Sequence, residues 1–444
     1  MSRPTALEVA AEYGAQPPAA IDSEQILHHA KRAVLDWHAA AIPGAVQAPP
    51  VLLEKVLADE LDRGPSALVL GRRATTRAAA FLDGTAAHTV EVDDIFKQAI
   101  YHPGAPTIAA ARAVAREVGA SGRDFLRATT VGYEISTRIG AAMGRAHYRY
   151  WHNTGTVGAF GAAAAAAVLY RLDAGRFAHA LATVATFAAG LQQAFRMDSM
   201  SKPMHAGQAA QSGVFAAQMA REGVTGSLDV LDGDAGMGHA MSDGPDWAQA
   251  LRSLGSEFNI AQMTFKNHAC CGHTFACIDG ALHLRDAMAI DPGEIERIRL
   301  ATYAPALSVA GNADPRTAAE ARFSIAFVVA TALLHGRVRL TAFSPERLAD
   351  PAIRSLMTRI ELSVDPELDA AFPGQRAAEV TILMRDGTTW SFLQPCRKGD
   401  PEAPLTDAEL DDKFFELASP IIGRPGAEQL RERIWSLDRL PEVG

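Results

Sequence analysis

Apolar residues recur every three or four positions through most of the first 265 residues, which is the spacing of amphipathic helices. The clearest helical segments are 23–41, 107–118, 122–143, 174–189 and 205–222. Alternation of apolar and polar residues, which is typical of strands, is nearly absent from this part of the chain. The pattern therefore predicts an all-helical N-terminal region.

The pattern changes after this region. Residues 296–303 and 358–364 alternate as strands do, and 379–392 contains two alternating runs around Asp386-Gly387, a strong hairpin signal. Helical spacing returns at 276–289 and 319–335, and again at 406–416, where Thr406 and Glu409 have the spacing of a capping box. We predict a mainly α protein with a smaller α+β domain. The large all-helical domain comprises 1–273 and 396–444, onto which the tail packs back, and the smaller domain comprises 274–395.

Composition narrows the class of partner. The net charge is −9, which argues against nucleic acid as the main partner because phosphate binding needs a clustered cationic surface. The alanine-rich run 158–170 is too short to span a bilayer, so no membrane partner is expected, and the first residues do not resemble a signal peptide. Three of the four cysteines lie within eight residues, which favours a reducing compartment over a disulfide framework. We expect a soluble cytoplasmic protein.

Two segments combine histidine with groups suited to proton transfer or anion binding. Segment 88–106 places three acidic residues near His102, namely Glu91, Asp93 and Asp94. This arrangement indicates either a solvated acidic loop or a histidine oriented by a carboxylate. In segment 150–158, His152 stands between aromatic residues and a turn rich in glycine and threonine. It is either a core histidine with a hydrogen-bond partner or a neighbour of an anion-binding helix N-terminus.

Two further segments carry lysines in unusual positions. In segment 197–210, Lys202 precedes Pro203 at the predicted start of a helix, where a cation is unfavourable unless it binds something. Segment 265–274 has a set of residues that resembles metal ligands: Lys266, His268, Cys270, Cys271 and His273. We reject a metal site because adjacent cysteines do not easily reach one tetrahedral ion and no second ligand pair follows. A cleft at a domain junction explains the segment better.

Taken in order, these segments resemble the MmgE/PrpD family, which includes 2-methylcitrate dehydratase, iminodisuccinate epimerase and cis-aconitate decarboxylase. The similarity covers nearly the whole chain and depends on six motifs: DD…HPG, His152, SKPMHAGQAA, FKNHACC, EARFSIAFVVATALLHG and PLTDAEL..KF. The resemblance implies a large all-helical domain with an α+β lid domain, and an active site in the cleft between them. It also implies a homodimer that uses no metal and no organic cofactor.

The resemblance also implies the active-site positions. They correspond here to Asp93 or Asp94, His102, His152, Lys202 and Lys266. We expect the two lysines to bind substrate carboxylates and the two histidines to act as base and acid, with one aspartate orienting a histidine. Three more residues are expected to contact the substrate: Met204, His268 and Cys271.

Some positions depart from the decarboxylase type. Ile95 stands where a threonine is often found, and the gap to His102 is one residue longer. Cys271 replaces a histidine and Phe327 replaces a tyrosine. We therefore predict a hydro-lyase of the 2-methylcitrate dehydratase type that acts on a small di- or tricarboxylate. An epimerase or isomerase of an iminodisuccinate-like acid ranks second, a decarboxylase third, and a non-catalytic carboxylate-binding protein last. Cys271 is either a second proton carrier, as in an epimerase, or an inert cysteine.

Overall fold

The computed structural model describes residues 4–195 and 199–443. The chain divides into two compact units, one made of Met1–Thr264 with Thr406–Gly444 and the other of Phe265–Leu405. The first is helical, whereas the second combines helices with a four-stranded sheet, so the predicted fold class is confirmed. The domain boundaries predicted from sequence, at 274 and 395, lie inside the second unit.

The first unit begins with a series of helices interrupted by one small hairpin. Its elements up to Thr264 are α1 Ala6–Ala15, α2 Glu24–Ala45, α3 Pro50–Val56, β1 Leu61–Ala67, β2 Arg73–Ala74, α4 Thr76–Ala87, α5 Gly104–Val118, α6 Gly122–Tyr148, α7 Asn153–Thr156, α8 Gly158–Leu169, α9 Ala174–Ala185, α10 Ser201–Arg221, α11 Met237–Met241 and α12 Trp247–Ala250. The hairpin β1–β2 was missed by the sequence analysis. Its first strand, LDRGPSA, contains glycine and proline and has little regular alternation.

Small residues allow the central helices to approach closely. The alanines of α8 are buried, and the glycines of the neighbouring helices face its backbone. A Cβ atom on Gly132 of α6 would lie 2.6 Å from the Gly161 carbonyl oxygen, and one on Gly213 of α10 would lie 2.5 Å from the Ala163 nitrogen. Larger side chains would separate these helices. Their close packing fixes the helix ends, which carry the candidate site.

The second unit is built on a mixed sheet with strand order β4-β3-β5-β6, in which β3 and β4 are parallel and the other pairs antiparallel. Its elements are α13 Phe275–Ala287, β3 Ile295–Thr302, α14 Ala304–Ala310, α15 Ala318–Ala321, α16 Ile325–His335, α17 Pro345–Leu348, α18 Pro351–Met357, β4 Ile360–Val364, α19 Pro366–Ala371, β5 Ala378–Met384 and β6 Thr389–Gln394. The hairpin turn is placed as predicted, with Gly387 at φ 87°. The single helix predicted at 319–335 is wrong, because it breaks before Ser324, whose side chain caps α16.

The chain returns to the first unit in α20, Asp407–Trp435, which begins with the predicted capping box of Thr406 and Glu409. This helix packs on α2, as expected for the tail. The Lys413 ammonium group lies 2.5 Å from the Asp36 carboxylate and 2.7 Å from the Val92 carbonyl oxygen, and both charged side chains are about 1% exposed. The buried ion pair therefore attaches α20 to α2, and the hydrogen bond attaches it to the segment that follows α4.

No helix in the described ranges is both long enough and apolar enough to cross a membrane.

Candidate active site

Four histidines of the first unit lie in ring contact because each stands at a helix end. His88 caps the C-terminus of α4, His102 precedes α5, His152 precedes α7, and His205 lies in the first turns of α10. The ring centroids of His88 and His102 are 4.9 Å apart, those of His88 and His152 are 5.3 Å apart, and those of His152 and His205 are 5.3 Å apart. The first three residues are buried. The fold therefore collects into one cluster imidazoles that are distant in sequence.

Asp93 joins two of these histidines. One carboxylate oxygen, Oδ2, lies 2.7 Å from Nδ1 of His88 and 3.2 Å from Nδ1 of His102. Burial opposes ionisation, yet the interactions with His102 and then with His88 hold the pKa of Asp93 well below its usual range. The aspartate is therefore an anion at neutral pH. It accepts Nδ1–H from His88 and lies at ion-pair distance from Nδ1 of His102. This arrangement leaves Nε2 as the basic nitrogen of each ring.

Buried polar atoms of this group have unmet hydrogen-bonding capacity. Asp93 Oδ1 and His88 Nε2 are both buried, and neither has a hydrogen-bond partner among the residues that the structure describes. Most buried polar atoms in proteins are paired, so unpaired ones require an explanation. A polar ligand that binds here would provide it.

Asp94 has a different environment from its neighbour. It accepts hydrogen bonds from the Tyr133 hydroxyl at 2.8 Å and from the Gly104 backbone N–H at 3.0 Å, which ties it to the start of α5. Burial, aided by the negative charge of Asp36, raises the pKa of Asp94 to about 8. Asp94 therefore carries a proton at neutral pH. Of the two aspartates that the sequence left open, Asp93 is the one that contacts the histidines.

His152 pairs with His205, their Nδ1 atoms being 3.1 Å apart. Burial, with the nearby His88 and Lys202, lowers the pKa of His152 well below its usual value, and burial lowers that of His205 to about 4. Both rings are therefore neutral at pH 7. The His152 backbone N–H donates to the Gly190 carbonyl oxygen at 2.8 Å, which fixes the loop before α7.

Lys202 lies at the N-terminus of α10, where the helix dipole disfavours a cation. Its ammonium group pairs with the Glu91 carboxylate, and its side chain is 24% exposed. Although burial alone would lower it, this carboxylate raises the pKa of Lys202, so the lysine is charged. Glu91 adopts a left-handed φ of 61°, a conformation that costs free energy outside glycine and often marks functional sites. Met204 lies half-buried in the same helical turn.

The segment predicted to be functional around Lys202 begins at Met197, and its first two residues, Met197 and Asp198, lie outside the described residues.

The remaining predicted residues belong to the second unit. Lys266 is buried. His268 is buried and its Nε2 lies 2.8 Å from Asp279 Oδ1, so the ring is held by a carboxylate. Cys271 is half-buried, and its backbone N–H donates to the Arg322 carbonyl oxygen at 2.9 Å. Phe327 is fully buried near Phe343, with ring centroids 6.1 Å apart.

The Asp93 group also has the composition of a metal site. Within the described part of the chain, the grouping of potential metal ligands is His88, Asp93 and His102, whose ligand atoms all lie within 4.8 Å of one another. Ligands about 2.0–2.1 Å from a tetrahedral ion are roughly 3.3 Å apart. The 2.7 Å between His88 Nδ1 and Asp93 Oδ2 is shorter and is an ordinary hydrogen-bond length. The contact of His88 with Asp93 therefore fits a hydrogen bond better than two ligands of one metal ion.

Three residues of the cluster were missed by the sequence analysis: His88, Tyr133 and His205. His205 lies within SKPMHAGQAA, three residues after Lys202, so that motif contained a signal. His88 stands five residues before Asp93, but nothing local indicates that the chain turns back on itself there. Tyr133 lies in the middle of α6 and reaches Asp94 only through the tertiary fold.

Comparisons with known proteins agree with this architecture. The model of the MmgE/PrpD N-terminal domain matches residues 9–250, and that of the MmgE/PrpD C-terminal domain matches residues 268–439. The cis-aconitate decarboxylase-like protein oryM of Aspergillus oryzae is 29% identical, over 94% of this chain and 91% of its own. Cis-aconitate decarboxylase of Homo sapiens is 28% identical, over 82% of this chain and 77% of its own, and that of Mus musculus is 29% identical, over 82% and 76%. The chain belongs to the MmgE/PrpD family.

Proposed function

We propose that this protein is a lyase that acts on a small di- or tricarboxylate by moving a proton next to a carboxylate group. The observation that supports it most is the anionic Asp93 shared by His88 and His102, beside the neutral His152 and the charged Lys202. Removal of a proton next to a carboxylate builds negative charge, so it requires a base and a nearby cation. The cluster contains both.

His102 is assigned as the base. Because its Nδ1 lies against Asp93, Nε2 is the nitrogen that takes the proton, and the carboxylate stabilises the imidazolium that forms. His152 is assigned as the acid. It is neutral without ligand, so it must first take up a proton, and an anionic substrate nearby favours its charged form.

Lys202 and Lys266 are assigned to substrate carboxylates. Lys202 pairs with Glu91 in this structure. A substrate carboxylate would either replace Glu91 or bind the Lys202 ammonium group together with it. The roles of Lys266, His268, Cys271 and Met204 rest on the sequence motifs, and substitution of each is the appropriate test. The proposal also includes a cytoplasmic homodimer that works without a metal or organic cofactor. Light scattering tests the dimer, and turnover in excess EDTA tests the independence from metal.

Hydro-lyase chemistry is our first choice for the step after proton removal. The histidine and tyrosine of the decarboxylase type are replaced by Cys271 and by Phe327, which is packed in the core of the second unit. In the elimination, the C–H electron pair forms the new C=C bond, the C–O bond breaks, and the hydroxide leaves as water with a proton from His152. Decarboxylation is the second candidate, because the relatives from Aspergillus oryzae, Homo sapiens and Mus musculus carry that activity in their names.

Proton NMR in D₂O separates these reactions. The purified protein is incubated with 2-methylcitrate, citrate, cis-aconitate and substituted succinates. A new alkene signal from a hydroxy acid with no loss of carbon indicates dehydration, and loss of CO₂ from cis-aconitate indicates decarboxylation. Deuterium incorporation without a change of skeleton indicates epimerisation. An unchanged spectrum with every acid, beside binding by calorimetry, would replace the lyase proposal with that of a carboxylate-binding protein.

A further inference from the structure

Arg376 is a cation of the second unit that forms no ion pair in the described structure. It lies between α19 and β5 and is half-buried. Its guanidinium lies over the Phe372 ring, 5.8 Å from the centroid. Across the described ranges, neither a carboxylate nor another hydrogen-bond acceptor contacts this guanidinium. A partly buried charge without a partner is unfavourable, so its presence requires an explanation.

The neighbours of Arg376 form an aromatic and polar wall. Phe372 stacks on Tyr303, with centroids 4.7 Å apart and planes at 14°. The Tyr303 hydroxyl lies 3.0 Å from His273 Nδ1. Cys271 is close enough to interact electrostatically with both Arg376 and Tyr303. We call these four residues the Arg376 cluster: His273, Tyr303, Phe372 and Arg376.

The nearby Arg397 does not share this situation. It forms a two-point ion pair with Asp400, with Nε to Oδ2 at 2.9 Å and Nη2 to Oδ1 at 2.8 Å, and both side chains are buried. Asp400 is therefore paired with Arg397, and its charge acts on Arg376 without forming an ion pair with it.

Electrostatic effects on neighbouring groups agree with an unbalanced positive charge. Burial, then the charge of Arg397, lowers the pKa of Arg376. Burial, then the charges of Arg376 and Arg397, lowers the pKa of His273 to about 4. His273 is therefore neutral at pH 7, and burial keeps the Tyr303 hydroxyl protonated by raising its pKa. An anion that entered here would meet a cation and two neutral hydrogen-bonding groups.

We propose that the Arg376 cluster binds a carboxylate group of a small organic acid, with the guanidinium forming a two-point contact and Tyr303 and His273 beside it. A planar guanidinium matches the two oxygens of a carboxylate. The inference rests on the proposed function and extends it. Because Lys266 of the same unit is already assigned to a carboxylate, a further cationic site here favours tricarboxylates over dicarboxylates. It also places a guanidinium that can bind a carboxylate near Cys271, the position at which the decarboxylase type has a histidine.

The test uses three variants of the whole protein. Arg376→Gln removes the charge, and Arg376→Lys keeps the charge but cannot form the two-point contact of a guanidinium. Arg385→Gln is a matched control on the exposed hairpin turn of the same unit. Binding of citrate, cis-aconitate and succinate is measured by calorimetry, and unfolding by thermal melting without ligand. We expect Arg376→Gln to weaken tricarboxylate binding at least tenfold and succinate binding less, with Arg376→Lys intermediate and Arg385→Gln unchanged.

The melting temperature separates a binding role from a structural one. Because the Arg376 guanidinium forms no ion pair or hydrogen bond in the described structure, Arg376→Gln should melt at or above the wild-type temperature. A lower melting temperature together with unchanged affinity would assign Arg376 a structural role and overturn the inference. So would the absence of binding of every acid to the wild type.

Failure of the inference differs from failure of the proposed function. If the wild type converts an acid and Arg376→Gln leaves the affinity and KM unchanged, the inference fails and the lyase proposal stands. If the wild type converts nothing but binds citrate in a manner that depends on Arg376, the lyase proposal fails and the inference stands.

Discussion

Replacement of Asp93 by asparagine tests the centre of the proposed mechanism. The carboxylate oxygen Oδ2 accepts a hydrogen bond from His88 at 2.7 Å and lies 3.2 Å from Nδ1 of His102. An asparagine retains one acceptor but no charge, so it can hold one ring at most. A hydrogen bond to a charged group is worth about 1.5–3 kcal/mol, and the loss of one in the transition state slows turnover about 10- to 150-fold. We expect kcat of Asp93→Asn to fall by this factor.

Asp94→Asn is the matched control for this experiment. Its side chain is adjacent in sequence and also buried, but it contacts Tyr133 and Gly104 instead of a histidine. Because Asp94 carries a proton at neutral pH, asparagine resembles it in shape and charge. Turnover is followed by proton NMR with whichever acid the wild type converts, and melting curves verify folding. Wild-type kcat in Asp93→Asn, or equal losses in both variants, would refute the assigned role of Asp93.

The remaining predictions concern stability and the acid. The pKa of Asp94 is about 8 when folded and about 3.9 when unfolded, so between these values the folded protein holds the extra proton and stability falls as pH rises, by at most about 1.4 kcal/mol per unit. Urea titrations from pH 5 to 8 should show a smaller loss for Asp94→Asn than for the wild type, and parallel curves would contradict this. His152→Ala should lower kcat by roughly 10²–10⁴-fold with the fold intact by circular dichroism, and near-normal turnover would remove its role. Lys413→Met removes the cation that pairs with the buried Asp36 carboxylate, and should lower the free energy of unfolding by roughly 3–5 kcal/mol. Adding Asp36→Leu should recover most of that loss, whereas a single variant as stable as the wild type would contradict the assignment.

Features of the fold that depend on residues close together in the sequence were predictable. Helix α20 begins at the predicted capping box of Thr406, and the turn at Gly387 stands where Asp-Gly indicated it. The break before Ser324 was not predictable from periodicity, because apolar residues continue across it. The Ser324 side chain caps the start of α16, so a new helix begins there instead of one continuous helix. The hairpin β1–β2 was missed because its residues give no alternating pattern.

The candidate site was predictable only in part, for a similar reason. Motifs indicated His102, His152 and Lys202 as candidates, because each stands in an unusual local context. The choice between Asp93 and Asp94 depends on which carboxylate turns toward the histidines, a matter of tertiary contact that neighbouring residues in the sequence cannot distinguish. The uncompensated charge of Arg376 is likewise visible only when its neighbours in space are known.

The discontinuous first unit affects the order in which a ribosome can complete it. Lys413, which pairs with Asp36 and holds the Val92 carbonyl beside Asp93, is synthesised only after the roughly 140 residues of the second unit. At about 5–20 residues per second, that interval is roughly 7–28 s. During it, the nascent first unit has Asp36 without its cation and the segment carrying Asp93 without its anchor. The cluster of histidines therefore reaches its final form late in synthesis, although the residues that compose it are translated first.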